Sequence, residues 1–269
     1  MPRLNRRIGI IGSGNMGGAI LAGLVKNRIA PPSRIVVYDK VLSKAKAVAR
    51  QWKVKLGRGN GQVVAGSDVV VLAVKPQDLF EAAAEFRQAF RSRHVLITIL
   101  AGTPIAKVRR AVGPRPKIVR AMPNLGAQVG EAVTALSGAG GRAISWAETL
   151  FSGCGRTLRL PEKYFDLVTA ISGSGPAYFF LLMELLVKEA RSRGLSEKVA
   201  RALAVQTALG AGLLAQKAPV PPAALRRQVT SKGGTTEAAL RVFQKRGLAK
   251  TVSLGIRAAV RRGRELSRR

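Results

Sequence analysis

The sequence predicts an α/β protein in two parts, a doubly wound parallel sheet followed by an all-helical domain. Two observations carry this prediction. Up to about residue 160, short apolar runs alternate with helical stretches, which is typical of βαβ units and hence of a parallel sheet. From residue 161 onward nearly every segment has the apolar periodicity of helices. We therefore expect one domain over residues 1–160 and a second over residues 161–269.

The N-terminal part begins with a predicted buried strand over residues 8–11, which runs into a glycine loop and a helix over 16–26. A second strand, over 35–38, ends at Asp39, and residues 43–52 are expected to form the crossover helix. The later elements of this part are strands over 68–74, 95–99 and 117–121, with a helical run over 76–90.

The C-terminal part is expected to consist of helices joined by short loops. A proline-marked loop at 218–222 divides it. Its predicted helices cover 165–171, 177–193, 197–215 and 235–245, and a basic helix follows residue 250.

Cysteine and histidine content excludes several kinds of site. The only cysteine, Cys154, excludes an intramolecular disulfide and fits a reducing compartment. The only histidine, His94, excludes a histidine-based metal site or a histidine-containing triad, so we expect no metal. The longest apolar stretch, Ala177–Met183, is far shorter than the roughly 20 residues that a membrane-spanning helix needs. With no signal-peptide pattern at the start, we expect a soluble, cytoplasmic protein without a membrane partner.

The net charge of +32 is the unusual feature of the composition. A charge this large attracts polyanions, so nucleic-acid binding is an alternative to weigh. The lysines and arginines are scattered over the whole length, with only a modest cluster over residues 257–269. No zinc-finger spacing, basic-region heptad or aromatic RNA-binding motif accompanies them. We favour a solvated basic surface with weak, salt-sensitive adhesion and no specific nucleic-acid partner.

The first motif is Gly12-Ser13-Gly14-Asn15-Met16-Gly17, a G-x-G-x-x-G between a predicted strand and a helix. In a Rossmann-type sheet the first glycine permits the tight turn, the second lets the backbone approach a pyrophosphate, and the third allows close packing of helix on strand. Asp39 lies 22 residues after Gly17, where an acidic residue commonly binds the ribose of NAD. The sequence therefore predicts that these residues bind a dinucleotide; a merely tight turn is the alternative.

Two further motifs follow predicted strands. Ala73-Val74-Lys75-Pro76 stands at the carboxyl end of one strand, where ligands of doubly wound sheets lie, so Lys75 is expected to face the cofactor. A surface lysine at the start of a loop is the alternative. Arg120-Ala121-Met122-Pro123-Asn124 follows a later strand in the same way. We expect Met122 and Asn124 to contact the cofactor, with Asn124 at its nicotinamide end.

Two loops of the helical part are rich in glycine and hydroxyl groups. The segment from Thr230 to Thr236 precedes a helix and offers hydroxyls, two glycines and a helix N-terminus, which together suit an anion such as a carboxylate. A plain N-capping loop is the alternative. The second loop, Ser172–Tyr178, has glycines that indicate close backbone approach. Packing, a subunit contact and catalysis all remain open for it.

Taken together, these motifs resemble those of the pyrroline-5-carboxylate reductase family across essentially the whole chain. The matching stretches are the glycine loop, Ala-Val-Lys-Pro at 73–76, Arg-Ala-Met-Pro-Asn at 120–124, Ser-Gly-Ser-Gly-Pro-Ala-Tyr at 172–178, and Gly-Gly-Thr-Thr-Glu-Ala-Ala-Leu at 233–240. The glycine loop is shared by many dehydrogenases, whereas the last two stretches, in this order, are much more specific.

The resemblance implies an enzyme that uses NADPH or NADH to reduce 1-pyrroline-5-carboxylate to L-proline, the last step of proline biosynthesis. It implies an N-terminal Rossmann domain and a helical domain that forms a dimer, in a homo-oligomer built from dimers. It also implies that Ser231, Gly234, Thr235 and Thr236 bind the substrate, and that the Thr236 hydroxyl meets the ring nitrogen as the catalytic group.

Two departures from the family pattern leave alternatives open. Lys232 stands where the family usually has proline, and Leu125-Gly126 stands where it usually has Thr-Pro. One alternative is a related reductase acting on another imine or keto substrate. Another is a basic, nucleic-acid-associated protein that kept only the scaffold. The choice between NADH and NADPH is also open, because Asp39 favours NADH whereas the nearby lysines at positions 40, 44 and 46 offset its charge.

Overall fold

The computed structural model describes residues 2–268, so the outermost residues of the two predicted domains, Met1 and Arg269, lie outside the described residues. The contacts divide the chain into two compact units. The first unit contains the described residues up to Ser174 and those from Ala259 onward, and the second unit is Gly175–Ala258.

The first unit is built on one eight-stranded sheet of order β3-β2-β1-β4-β5-β6-β7-β8. The strands are β1 Ile8–Ile11, β2 Ile35–Tyr38, β3 Lys55–Leu56, β4 Val69–Leu72, β5 Val95–Thr98, β6 Lys117–Met122, β7 Ala132–Gly138 and β8 Gly155–Arg159. The first six strands all run in the same direction. Five of them, β1, β2, β4, β5 and β6, form the parallel sheet that the sequence predicted. β7 is antiparallel to β6 and parallel to β8, so the last two strands run opposite to the rest.

Three of these strands were not predicted from the sequence, which indicated only five. β3 has two residues, both exposed, and therefore carries no apolar pattern. β8 is an edge strand whose residues are exposed or half-buried. β7 consists largely of small residues. The central strands β1, β4 and β5 are instead buried along their whole length, which gives the continuous apolar runs that the sequence shows.

The helices of this unit cover both faces of the sheet. They are α1 Asn15–Lys26, α2 Leu42–Trp52, α3 Asn60–Ala65, α4 Leu79–Phe86, α5 Ile105–Val112, α6 Arg142–Ser152 and α7 Phe165–Val168. Successive side chains of a strand point to opposite faces, so Ile10 packs into a cluster with Leu24 and Leu150, whereas Ile11 packs into a second cluster with Leu79 and Phe86. The sheet is therefore doubly wound, as the sequence predicted.

The second unit is helical, also as predicted. Its helices are α8 Gly175–Ser192, α9 Glu197–Lys217, α10 Pro222–Gln228, α11 Thr235–Lys245 and the first part of α12 Leu248–Arg268. α8 packs against α9. Among the residues of this unit only Gly175, Ala200 and Ala204 are buried, so its large apolar side chains lie on the surface of the isolated chain.

One described helical stretch, Glu162–Ser192, is long and apolar enough to cross a membrane by length and composition alone. Only 11% of its most apolar window is buried. The run of apolar residues counted from the sequence was shorter because it ended at Glu184. A helix that is covered by another subunit has the same composition, so these two properties do not identify a membrane span.

Candidate active site

The glycine loop between β1 and α1 has the geometry of a tight turn that closely approaches a neighbouring strand. Gly12 has φ +98°, and a Cβ added there would lie 2.5 Å from the carbonyl oxygen of Ala73, just after β4. A Cβ on Gly17 would overlap the Gly12 carbonyl oxygen, because α1 begins directly against the loop. Neither position accommodates a side chain.

Gly14 differs from the other two glycines of the loop. No atom lies within 4 Å of the position that its Cβ would take. It immediately precedes α1, whose first backbone N–H groups have no partner within the helix. The loop therefore leaves open space at the positive end of a helix, the arrangement that suits a phosphate group.

A cavity of about 300 Å³ lies at the carboxyl ends of β1, β2 and β4. Six of the predicted cofactor residues line it, namely Gly12, Gly14, Asp39, Ala73, Val74 and Lys75. The other predicted cofactor residues do not, namely Ser13, Asn15, Met16, Gly17, Pro76, Met122 and Asn124. This cavity is called the cleft below.

Asp39 connects the end of β2 to the glycine loop. Its Oδ2 accepts the Ser13 backbone N–H at 2.6 Å and the Ser13 hydroxyl at 3.1 Å, and its Oδ1 accepts the Val41 N–H at 2.9 Å. An ionised carboxylate has about four acceptor positions, so one remains for a ligand hydroxyl. The structure thus adds an anchoring role for Asp39 that its spacing did not indicate.

Three acidic residues and Asn60 line the cleft without having been singled out from the sequence, whereas Lys40 was named there for its charge. The Lys40 ammonium lies 3.2 Å from Asp78 Oδ2, and the hydrogen bond to this carboxylate raises the pKa of Lys40 above its usual value. Asn60 donates from Nδ2 to Glu85 Oε2 at 2.8 Å. The signal that was available is the spacing of Asp78, Glu81 and Glu85, which lie three and four residues apart and so share one helix face.

Met122 and Asn124 lie against the glycine-rich loop that begins at Ser172. Asn124 Oδ1 accepts the Gly126 N–H at 3.2 Å, and its Nδ2 donates to the Ser172 hydroxyl at 3.4 Å. A Cβ on Gly173 would lie 2.6 Å from the Met122 methyl group. Gly173 ends a π-helical turn over Thr169–Gly173. Of the alternatives left open for this loop, packing therefore accounts for Gly173.

The loop before α11, in the second unit, is a tight turn closed by a helix side chain. The Gly234 N–H donates to the Ser231 carbonyl at 3.1 Å, and Gly233 has φ +71°, as the third residue of a type II turn does. The Gly233 N–H donates to Glu237 Oε2 at 2.8 Å, which ties the turn to the first turn of α11.

The hydroxyls of this loop have different environments. The Thr230 hydroxyl donates to the Arg226 carbonyl at 2.6 Å and so caps the preceding helix. In the described part of the chain, no hydrogen bond holds the hydroxyls of Ser231, Thr235 or Thr236. Capping therefore uses one hydroxyl, and three are available to a ligand. This favours the anion site over a plain capping loop.

The single cysteine and histidine lie in the interior rather than at either site. Both are fully buried. Burial raises the pKa of the Cys154 thiol to about 12, so this residue is not a nucleophile at neutral pH. His94 accepts the Arg91 N–H at its Nδ1 at 2.8 Å, and burial lowers the pKa of this histidine. Among residues 2–268, no three His, Cys, Asp or Glu side chains form a group suited to a metal ion.

The sheet and the glycine loop are typical of dinucleotide-binding proteins. Comparison with known protein families shows which of these proteins the chain is similar to. The family described as "Pyrroline-5-carboxylate reductase dimerisation" matches residues 162–266, and "NADP oxidoreductase coenzyme F420-dependent" matches residues 7–102. A pyrroline-5-carboxylate reductase of Pseudomonas aeruginosa is 38% identical over 97% of this chain and 97% of its own. One of Arabidopsis thaliana is 35% identical over 99% of this chain and 98% of its own. The chain therefore belongs to the pyrroline-5-carboxylate reductase family.

Solved structures agree with this assignment. A pyrroline-5-carboxylate reductase from Coxiella burnetii has a TM-score of 0.91 and 33% identity, covering 98% of this chain and 99% of that one. The pyrroline carboxylate reductase of Plasmodium falciparum, solved with NADP bound, has a TM-score of 0.89 and 27% identity over the same shares of the two chains.

Proposed function

We propose that this chain transfers hydride from NADH or NADPH to the C=N bond of 1-pyrroline-5-carboxylate and so forms L-proline, the last step of proline biosynthesis. The observation that carries the proposal is the full-length membership of a reductase family in a chain that has both an open dinucleotide cleft and a hydroxyl-bearing loop at a helix start. Relatives of this family are named for the same activity.

The glycine loop and the strand ends would hold the cofactor. Residues 12–17 and the start of α1 would take the pyrophosphate, and Asp39 the adenosine ribose. Residues 73–76 would line the remainder of the bound dinucleotide, and Met122 and Asn124 its nicotinamide end. The dinucleotide supplies the hydride, and the chain supplies position and surroundings.

The loop before α11 would hold the substrate. We assign the substrate carboxylate to Ser231, Gly234 and Thr235, at a helix start that attracts negative charge. The Thr236 hydroxyl would hydrogen-bond the ring nitrogen and keep the imine oriented. A protonated imine is the better hydride acceptor and already carries the proton that the product amine keeps. Its N–H would donate to the Thr236 hydroxyl oxygen, and neither His94 nor Cys154 is needed as a proton donor.

The direct test is oxidation of NADH and of NADPH by the purified protein in the presence of 1-pyrroline-5-carboxylate. We expect turnover with at least one cofactor that depends on the imine. Folded protein without turnover on either cofactor would contradict the proposal. Turnover only with a different imine or keto acid would favour the related reductase instead.

We also infer that residues 161–269 form a dimerisation and substrate-binding domain, distinct from a dinucleotide-binding domain over 1–160, in a homo-oligomer built from dimers. The match to a family model named for dimerisation begins at residue 162. On α8, Phe179, Phe180 and Leu182 are each more than half exposed in the single chain. An exposed apolar surface of this kind is typical of a protein–protein interface. We propose that the same helices of a second copy of the chain bury it.

Sedimentation velocity at micromolar concentration tests the dimer. We expect a species of twice the chain mass or an even multiple of it, without detergent. A folded monomer at that concentration would contradict the inference.

We further place the enzyme in the cytoplasm, without a membrane or a specific nucleic-acid partner. The scattered distribution of 46 basic residues supports general adhesion rather than a defined interface. We expect the protein in the soluble fraction without detergent. We also expect it to bind DNA without sequence preference and to lose this binding in moderate salt. Salt-resistant binding to one DNA sequence would favour the alternative of a nucleic-acid-associated protein that kept only the scaffold.

A further inference from the structure

Arg120 is the first residue of the Arg-Ala-Met-Pro-Asn motif, and the proposed function gives it no role. Its side chain is 5% exposed, and its Nη1 donates to Glu162 Oε1 at 3.0 Å. Its guanidinium carbon lies 4.8 Å from the centre of the Phe165 ring. A buried charge needs a close partner, because removal from water costs free energy that the partner offsets. The pair therefore holds Glu162 and Phe165 against β6.

The segment that follows Glu162 is hydrogen-bonded to this arrangement. α7 begins at Phe165 and runs directly into the π-helical turn Thr169–Gly173. The Thr169 hydroxyl donates to the Phe165 carbonyl at 2.7 Å, and the Ser174 N–H donates to the Thr169 carbonyl at 2.8 Å. Turns of this kind are rare and are found frequently at functional sites. The position of Phe165 therefore determines where the π-helical turn lies.

The π-helical turn contacts the other end of the motif that contains Arg120. Asn124 Nδ2 donates to the Ser172 hydroxyl at 3.4 Å. Gly173 packs directly against Met122, because a Cβ there would lie 2.6 Å from the methyl group of this methionine. The contacts thus begin at Arg120 and return to the same short stretch of chain at Met122 and Asn124.

We propose that Arg120 and Glu162 are positioning residues for hydride transfer, because their pair sets the π-helical turn and the turn sets Met122 and Asn124. The proposal rests on the proposed function, which assigns Met122 and Asn124 to the nicotinamide end of the cofactor. Neither Arg120 nor Glu162 lines the cleft, so both act through the turn. A misplacement of about 1 Å at groups that orient the reacting atoms can cost about a hundredfold in rate.

The nicotinamide end can be tested apart from the rest of the cofactor by titrating full-length protein with NADH and with ADP-ribose, which lacks only the nicotinamide ring. NADPH and 2′-phospho-ADP-ribose give the same comparison for the phosphorylated cofactor. Glu162→Ala removes the acceptor of both Arg120 and the Ile105 N–H. We expect it to weaken binding of the dinucleotide about tenfold and to leave ADP-ribose within about twofold of the wild type.

Two control variants separate positioning from a general loss of stability. Glu162→Gln retains an oxygen that can accept both hydrogen bonds, so dinucleotide binding should stay within about threefold of the wild type. Asp68→Ala removes a carboxylate that likewise accepts a backbone N–H and a guanidinium N–H, both from Arg7, but this residue stands at the start of β4. Both affinities should be unchanged in this variant.

Ser172→Ala tests the other end of the same contacts and leaves the buried pair intact. It removes the acceptor of Asn124 Nδ2, so the dinucleotide should bind about threefold more weakly relative to ADP-ribose. An unchanged ratio in this variant would overturn the proposal. Equal weakening of both ligands in Glu162→Ala, or the same shift in Asp68→Ala, would also overturn it. A wild type that binds neither dinucleotide would contradict the proposed function and this inference with it.

Discussion

The Arg120 guanidinium donates from Nη1 to Glu162 Oε1 at 3.0 Å. The arginine side chain is 5% exposed, whereas the other arginines whose ion pairs the described residues show are each more than half exposed. Its guanidinium carbon lies 4.8 Å from the centre of the Phe165 ring. The same Glu162 oxygen accepts the Ile105 N–H at 2.8 Å, so one carboxylate joins β6 to the start of α5.

Replacing Glu162 by Gln should destabilise the fold, because it leaves a buried guanidinium without its counter-charge. We expect a loss of about 2 kcal/mol in the free energy of unfolding, since breaking a buried pair costs about 3–5 kcal/mol and this glutamate is partly exposed. The matched control is Glu148→Gln, whose partner Arg159 is 59% exposed. It should cost at most about 1 kcal/mol. Equal losses by urea denaturation would show that the burial of Arg120 does not strengthen its pair.

Stability should fall as the pH falls below about 6.5, because His94 is buried in its neutral form. Burial lowers the pKa of His94 in the folded chain, so above the unfolded pKa neither state binds the proton and stability is complete. Below it the unfolded chain takes up a proton that the folded chain does not, and stability falls by at most about 1.4 kcal/mol per pH unit. Denaturation between pH 7.5 and 5.5 at fixed protein concentration measures this slope.

His94→Gln provides the control for that slope. It removes the only histidine of the chain and retains a hydrogen-bond acceptor for the Arg91 N–H. The slope between pH 7.5 and 5.5 should become flatter. An unchanged slope would show that titratable groups other than His94 cause the pH dependence of stability.

Lys232→Pro should raise KM for the imine at low ionic strength. Lys232 is the second residue of the turn closed by Ser231 and Gly234, a position where proline is common, so the backbone should tolerate the change. The lost ammonium contributes about 0.2–1 kcal/mol of attraction to the substrate carboxylate, and salt screens it. The difference in KM should therefore shrink over a salt series. Parallel curves would show that Lys232 does not act on the substrate.

Thr236→Ala should lower kcat/KM about 10–100-fold, because one oriented hydrogen bond is worth roughly 1.5–3 kcal/mol. Thr236→Ser keeps the hydroxyl and should recover most of the activity. Steady-state kinetics with the imine compares the two variants. Full activity in the alanine variant would remove Thr236 from the reaction, and equal losses in both variants would assign the effect to packing of the methyl group.

The sequence predicted the central sheet because buried parallel strands are apolar throughout, as β4 and β5 are. It could not reveal β8, an edge strand with two arginines in five residues, or β7, the strand that reverses direction. Strands of this kind form because they pair with neighbouring strands. The local apolar pattern of the sequence does not show which strands will pair.

The contacts at and near the candidate site also fall into two groups, those that the sequence predicts and those that it does not. The glycine loop and Asp39 follow from local spacing, because one βαβ unit holds them all. The pair Asn60–Glu85 spans 25 residues and the pair Arg120–Glu162 spans 42, so both depend on how distant elements pack. Motif spacing does not predict contacts of that kind.

Hydride transfer from the dinucleotide to the imine carbon can be followed with an isotope label. The purified protein is supplied with 1-pyrroline-5-carboxylate and a reduced cofactor that carries two deuterium atoms at nicotinamide C4. We expect L-proline one mass unit heavier than normal. The deuterium should lie on the ring carbon that is bonded to nitrogen and does not carry the carboxylate. Unlabelled proline, or no proline from folded protein that binds the cofactor, would contradict hydride transfer to the imine carbon.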